Sequence, residues 1–583
     1  MSENKSLFAL KLQVLSVPFL TFGAFLILYF FRYADDNRLT SWQWAFAEMD
    51  MVWFIPILIL GLTLAYAISL VSYEKFRPSL TLFFSSFLAA SIFWGAPEVI
   101  VDVSRYFTQA KHLELYGIKY FMSEWGTGIN AWTDLPLVPF LYGLIFKYLG
   151  ESRIFIQIFS TTLFSLTVVF TYLTGRELWN EETGFFAGAM LLGIPYIFSQ
   201  TPMMLVDIPT MFFLTFSIFT FIMALKKGGI WNAIASLSIF CAVFSKYSAW
   251  LMLSVLGIIF LVYLVQCSKN RGSKEDINDL GQLDIYDVTR KSIIVNGVFV
   301  ALMSGILVSS IVFFKYDIMQ GQINFLQEYQ KPGLSRWGES FVSTFFYQVH
   351  PFISIAAIYA TVVAIKKKDL KFLIIVWLIL LIVVLQIRRS RYVLVTFPML
   401  TLMASYGIGQ MKSLEVKRVL VSCIAIASIV VAAFAYIPFL QSISTINLKN
   451  AGNLLNSLKI AKVEVFTVPS QRPVVNPAVS VPILDLFTDK DITYYHDADF
   501  TVPFEKIKES PLRFTWEYTN PEYYQGDYFS VTDDSAVAVI ANMNIREFPE
   551  SLRKKIAGYK LAKVFEVSTG RFHYSPAVRI YLP

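Results

Sequence analysis

Asp102, Asp207, Lys246 and the run Arg388, Arg389, Arg391 each stand at the end of an apolar stretch, and counting the stretches puts every one of those ends on the same side of a membrane. Asp102 is flanked by Ile100, Val101 and Val103. A carboxylate at such a boundary loses part of its hydration, which is expected to raise its pKa and suit it to take a proton from an attacking hydroxyl. It is equally placed to cap a helix over 103–116. Asp207 precedes Ile208-Pro209 and a long apolar run, a usual helix start, with a second role in orienting an acceptor or a cation. Lys246 interrupts an apolar sequence at Phe-Ser-Lys-Tyr-Ser-Ala-Trp, where it either snorkels to the interface or partners a phosphate. Guanidinium groups bind phosphate bidentately and keep their charge in a low dielectric, so Arg388, Arg389 and Arg391 would attract either a bound lipid phosphate or anionic headgroups in general. A base on one side and phosphate-holding cations on the other are what a membrane enzyme with a lipid-phosphate substrate needs.

Such residues must be positioned by a scaffold, and the composition says that it is embedded. The 583-residue chain is 56% hydrophobic and 16% aromatic, with 53 phenylalanines, and its mean hydropathy is +0.55. A soluble domain is less apolar than this. The net charge of +7 lies largely in short loops, so no nucleic-acid partner is expected; membrane lipid is. Cys241, Cys267 and Cys423 all lie in or beside apolar segments and imply no disulfide framework.

Spans of about 20 apolar residues are predicted near 8–31, 52–73, 79–96, 152–174, 183–200, 208–225, 231–246, 248–266, 293–314, 346–365, 372–388, 392–411 and 418–440. The first is read as a retained span rather than a cleaved leader. Lys226 and Lys227, the cluster from Lys366 to Lys371, and Lys412 with Lys417 then fall in loops on one side, which the positive-inside bias makes cytoplasmic together with the N-terminus. Arg388–Arg391 runs against that bias, so a specific use is expected of it. The organisation expected is residues 1–96 as N-terminal membrane helices, 97–151 as a large outer loop with amphipathic helices, 152–440 as the membrane core, and 441–583 as a small extracytoplasmic α/β domain. That domain is read as a packing or recognition module, with strands near Val463–Val468, Ala536–Ile540 and Lys563–Val567. The loop 315–345 carries Pro332-Gly333 beside Arg336 and Trp337, a candidate lid.

No G-x-x-x-x-G-K-[ST] fingerprint and no His-x-x-x-His pair occurs, and of the four histidines only His350 has a notable position. An activated substrate would therefore have to arrive by way of the lipid.

The motifs and their order resemble the C-type, multi-spanning glycosyltransferases, in the branch of protein O-mannosyltransferases and bacterial aminoarabinose transferases. The residues that carry the likeness are Asp102-Val103-Ser104-Arg105-Tyr106, Leu135-Pro136-Leu137, Gly150 to Arg153, Gly175-Arg176-Glu177-Leu178, Asp207, Lys246, and Arg391-Tyr392 through Pro398. They span most of 97–411. The resemblance implies a GT-C-like, α-helical polytopic fold of about thirteen transmembrane helices. It also implies transfer of a sugar, with inversion, from a polyprenyl-phosphate donor to a lipid, glycan or protein acceptor outside the cytoplasm. Asp102 would be the base and Asp207 a second acid, with Tyr106, Lys246, Arg388, Arg389, Arg391 and Tyr392 binding substrate. No cofactor is required; a divalent metal shared by two aspartates is left open. The sequence departs from the family pattern at Val103, where a second acid is usual, and at Asp134, where a basic residue is common. The rival readings are a secondary transporter, which would need ionisable groups nearer the membrane centre, and an enzyme of the O-antigen ligase or polymerase kind.

Overall fold

The computed structural model describes residues 2–71, 77–270, 289–330, 338–470, 474–496, 504–510, 512–525, 535–545 and 547–583. Each predicted span holds a helix. Among the described residues, eight helices are long and apolar enough to cross a membrane: Leu10–Phe30, Met51–Ser69, Pro78–Gly95, Arg153–Leu178, Asp207–Lys227, Tyr247–Ser268, Arg290–Phe314 and Leu414–Ser442. This is the make-up of a multi-pass membrane protein. The other predicted spans are shorter or broken. The stretch 183–200 divides into Glu181–Leu191 and Pro195–Gln200, because a proline ring cannot donate to the preceding turn. The stretch 392–411 begins as two short turns, Ser390–Val393 and Leu394–Thr396, before Phe397–Ile408.

Asp207–Lys227 runs through the centre, with 89% of its apolar window buried, whereas only 17% of the Arg290–Phe314 window is covered. Its 21 residues separate Asp207 from Lys227 by about 30 Å at the helical rise. At the lysine end, Lys226 pairs with Glu177, Lys417 with Glu182 at 2.7 Å, and Lys371 donates to the Leu178 carbonyl at 2.7 Å. Gly175 belongs to this end. A Cβ there would lie 2.7 Å from Cα of Gly184, so the glycines let two helices cross almost backbone to backbone.

The first large loop supplies two helices, Asp102–Glu124, kinked at Gly117 (φ +88°), and Leu137–Leu149. Val103, Phe107, Ala110 and Leu113 bury one face of the first completely, while Leu115, Tyr116 and Met122 remain about half exposed on another. Apolar side chains left open on such a helix suit one lying in the membrane interface.

The C-terminal region begins with helix Ile446–Ser457 and builds a five-stranded mixed sheet in the order β2-β1-β3-β5-β4. The strands are β1 (Lys462–Val468), β2 (Asp491–His496), β3 (Ser535–Asn542), β4 (Lys560–Phe565) and β5 (Pro576–Leu582). β1 lies parallel to β2 and β3, and β5 lies antiparallel to β3 and β4. β3 is buried along its whole length. β4 starts three residues before the predicted strand and ends at Phe565. The exposed edge it forms carries Lys560 and Lys563, charges of the kind that blunt an edge against further pairing. The domain docks on Asp102–Glu124: Ser104 donates to the Val479 carbonyl at 2.5 Å, and Lys111 pairs with Asp485 at 2.6 Å and Glu151 at 3.1 Å.

Candidate active site

The loop that carries Asp102 is anchored before it reaches the site. Buried Arg153, first residue of its helix, donates Nε to Glu98 Oε1 at 2.6 Å and its two Nη groups to the carbonyls of Ala96 and Trp94 at 2.7 and 3.0 Å. The second oxygen of Glu98 accepts from the Met204 amide at 3.1 Å. The arginine that closes the Gly150–Arg153 motif and opens the next helix is thus a fastener between loop and helix. Beyond it, Val101 adopts φ +73° and ψ −66°, and the Asp102 amide donates back to the Ile100 carbonyl at 3.1 Å. This is a γ-turn of the rare, strained sense, on a β-branched residue that is 3% exposed. It turns the chain sharply into the helix at Asp102.

Asp102 and Asp207 are each the first residue of a helix, and neither helix has a side-chain cap bond at its start. Their carboxylates are spent elsewhere. Arg391 joins them, through Nη1 to Asp102 Oδ2 and through Nε to Asp207 Oδ2 at 2.8 Å. Lys246 meets the other Asp207 oxygen at 2.6 Å. It does so from a helix break, where its own backbone is extended (φ −165°, ψ 142°) between Ile230–Ser245 and Tyr247–Met252. Its ammonium also lies 5.1 Å from the Tyr392 ring centre, and the Arg389 guanidinium lies 5.3 Å from the same ring. The Arg389–Arg391 segment is fixed from behind by Glu339, which accepts from the Ser390 amide at 2.8 Å. Asn37 supports it too, donating to the Ser390 hydroxyl at 3.2 Å.

Arg105, one turn into the helix, gathers three carboxylates: Asp102 at 2.9 Å, Asp134 at 3.3 Å and Glu517 at 3.3 Å. Tyr106 is buried; burial, then the charges of Asp134 and Asp102, push its phenol well above the ordinary value. Glu517 comes from the C-terminal domain. Its carbonyl accepts from the Trp132 indole, and the Trp132 ring stacks on Tyr518 at 5.9 Å between centres. Gln322, on helix Tyr316–Phe325, donates to the Asp134 carbonyl at 3.0 Å.

Two expectations are corrected here. Asp102 is not raised: burial pushes its carboxyl up, but the guanidiniums of Arg391 and Arg105 outweigh that and hold it well below the usual carboxylate range. The carboxyls that burial does raise are Asp134, to about 6, and Glu517, to about 7. Arg388 does not join the cluster. It is exposed, donates to Gln386 at 2.7 Å and lies over Phe341. Among the other sequence-marked residues, His350 accepts from the Phe352 amide at 3.3 Å and caps its helix. Pro332-Gly333, Arg336 and Trp337 lie outside the described residues. Among the described residues no group of three His, Cys, Asp or Glu side chains is placed to hold a metal ion, and Asp102 and Asp207 face a guanidinium.

Residues 134–274 match the model of the dolichyl-phosphate-mannose-protein mannosyltransferase family, a segment that opens at Asp134 and takes in Asp207 and Lys246. No curated protein matches the chain by sequence. Among solved structures, ArnT from Cupriavidus metallidurans bound to undecaprenyl phosphate superposes with a TM-score of 0.50 at 10% identity, over 88% of this chain and 98% of that one. The apo state of the same protein gives 0.48 at 9% identity, over 86% and 97%. The oligosaccharyltransferase AglB from Archaeoglobus fulgidus, in complex with an inhibitory peptide and a dolichol-phosphate, gives 0.44 at 10% identity, over 81% and 70%. The chain shares its fold with the ArnT structure bound to undecaprenyl phosphate, and the family match over 134–274 agrees with the resemblance carried by the motifs.

Proposed function

We propose that the protein is a membrane glycosyltransferase that moves a sugar from a polyprenyl-phosphate carrier to an acceptor hydroxyl on the extracytoplasmic face, by a single inverting displacement. The observation that carries this reading is the bridge of Asp102, Arg391, Asp207 and Lys246, which couples a candidate base to phosphate-binding cations in one cluster. The family match at 134–274 and a fold shared with a protein bound to undecaprenyl phosphate support it. The outward orientation rests on the lysine-rich loops at the opposite end, and the count of thirteen crossings on the short helices that flank the eight long ones.

At rest the cations are occupied by carboxylates. A donor phosphate, held by Lys246, Arg389 and Arg391 with Tyr392 beside them, competes with Asp102 for Arg391. Asp102 then loses one guanidinium and becomes a stronger base when the donor is in place. The acceptor hydroxyl gives its proton to Asp102 as its oxygen bonds to the anomeric carbon, and the carbon–oxygen bond to phosphate breaks with its electrons going to phosphate. That leaving group is anionic already, so no general acid is needed; the cations stabilise the charge. Asp207 is wholly buried against Lys246 and Arg391, so its part is to orient the cations rather than to meet the acceptor.

The test is transfer of radiolabelled sugar from a panel of polyprenyl-phosphate donors, mannose first, in reconstituted vesicles. Asp102→Asn is expected to lower turnover about 10²–10⁴-fold with the protein still folded. Undiminished transfer by that variant removes Asp102 as base, and a wild type inactive with every donor removes the reading.

A further inference from the structure

The C-terminal domain brings the Glu517 side chain into contact with the Asp102 cluster. Glu517 ends the short turn Arg513–Glu517, and its carboxylate lies 3.3 Å from Nη1 of Arg105. The remaining edges of that guanidinium face Asp134 through Nε and Asp102 through Nη2, at 3.3 and 2.9 Å. All the partners are well covered, with side-chain exposures of 6% for Arg105, 5% for Asp134 and 11% for Glu517, while Asp102 keeps 26%. The hydrogen bonds of the guanidinium are made by Nη1 to Glu517 and by Nη2 to Asp102 and Asp134, while Nε is left without one. Glu517 is therefore the sole hydrogen-bonding anchor of the Nη1 edge against a swing. Without Glu517 the guanidinium is free to turn into a two-pronged pair with Asp102 or Asp134, which would over-neutralise the base and move it.

We propose that Glu517, carried to the cluster by the C-terminal domain, is a positioning residue for Asp102 that acts through Arg105. The inference rests on the glycosyltransferase reading for its catalytic readout only. The groups facing Glu517 are Arg105, Asp102, Asp134 and Arg513. Burial raises its carboxyl to about 7, so it changes charge within the working range. Its contact with Trp132 uses the main-chain carbonyl, which a side-chain substitution leaves in place.

The experiment uses the full-length protein in vesicles, as wild type, Glu517→Gln and Glu517→Asp. Glu517→Gln is expected to lower kcat about tenfold to a hundredfold, as small misplacements of reacting groups do, while donor KM and the Kd for undecaprenyl phosphate stay within about twofold. Wild-type kcat should rise from about pH 5.5 to about pH 8 as Glu517 ionises, the glutamine variant should stay low and flat, and the aspartate variant should recover part of the rise. Carbodiimide labelling of Glu517, read by mass spectrometry, is the arm that needs no turnover. In Arg105→Lys, whose single ammonium cannot serve all three carboxylates, the half-labelling pH of Glu517 should rise above the wild-type value of about 7, because the guanidinium that lowers it is gone. An unchanged kcat and pH profile, or a rise in KM alone, overturns the proposal. If wild type transfers no sugar, the functional reading fails, and a Glu517 labelling curve unmoved in Arg105→Lys separately overturns the link through Arg105.

Discussion

At Glu98 one carboxylate meets one guanidinium, and the remaining polar atoms of both are spent on the main chain of Trp94, Ala96 and Met204. Around Asp102, by contrast, Asp102, Asp134, Asp207 and Glu517 share contacts with Arg105, Arg391 and Lys246, with the charges of Arg389 and Arg513 close by. The Glu98 side chain is wholly buried, whereas that of Asp102 is 26% exposed. The first arrangement is closed: every charge has a fixed partner and none is left to offer. The second shares Arg105 and Arg391 among several carboxylates and is open at one corner, so under the proposed function its partners can be exchanged for an incoming phosphate. Buried ion pairs thus divide into a fastener and a candidate working site, and the sharing of partners and the exposure tell them apart.

The largest expected difference between them is in stability. Arg153→Met takes the guanidinium from Glu98 and leaves two acceptors, Glu98 Oε1 and the Ala96 carbonyl, unpaired, the Trp94 carbonyl keeping Gln157 at 2.9 Å; removing one partner of a buried pair costs about 3–5 kcal/mol. The folded fraction and thermal midpoint in detergent should drop sharply. Arg391→Met leaves each carboxylate a cation, Asp102 keeping Arg105 at 2.9 Å and Asp207 keeping Lys246 at 2.6 Å, and unpairs only their Oδ2 atoms. Its thermal midpoint should fall less than that of Arg153→Met while affinity for undecaprenyl phosphate falls about 10- to 100-fold, the worth of about 1.5–3 kcal/mol for hydrogen bonds to a charged group. If Arg391→Met unfolds the protein as Arg153→Met does, the two clusters are alike and the distinction fails.

The same contrast explains what could be read from the sequence. The helices were legible because about 20 apolar residues in a row have few other uses. So was the meeting of Asp102, Asp207, Lys246 and Arg391 in one cluster, since an ionisable group ending such a run needs a reason. Arg105 and Asp134 were written in the motifs, but that they are partners is tertiary: they lie 29 residues apart and meet only because two loop helices pack together. Glu517 is 412 residues from Arg105, in a domain without any catalytic spacing, so no local signal marked it. The raised pKa expected of Asp102 went wrong for a related reason. Its neighbours in sequence are apolar, and its neighbours in space are guanidiniums.

The smallest effect belongs to the turn that joins the two regions. Val101 sits between the Glu98 fastener and Asp102 with a backbone conformation that costs about 1–3 kcal/mol for a residue with a side chain. Val101→Ala keeps the strain and loses two buried methyl groups, so it should destabilise by about 1.5 kcal/mol. Val101→Gly loses the β-carbon as well, about 0.8 kcal/mol more, and adds about 0.5–1 kcal/mol of chain entropy, but it releases the strain. The glycine variant should therefore lie close to the alanine variant in urea or thermal titrations, where at an ordinary buried position it would be clearly the less stable. Its turnover should nonetheless be the lower of the two, because a turn that no longer has to be strained no longer fixes the direction in which Asp102 enters the site. A glycine variant less stable than the alanine variant by about 1 kcal/mol, beyond its entropy cost, would mean that Val101 carries no strain and that Arg105 and Arg391 alone place the base.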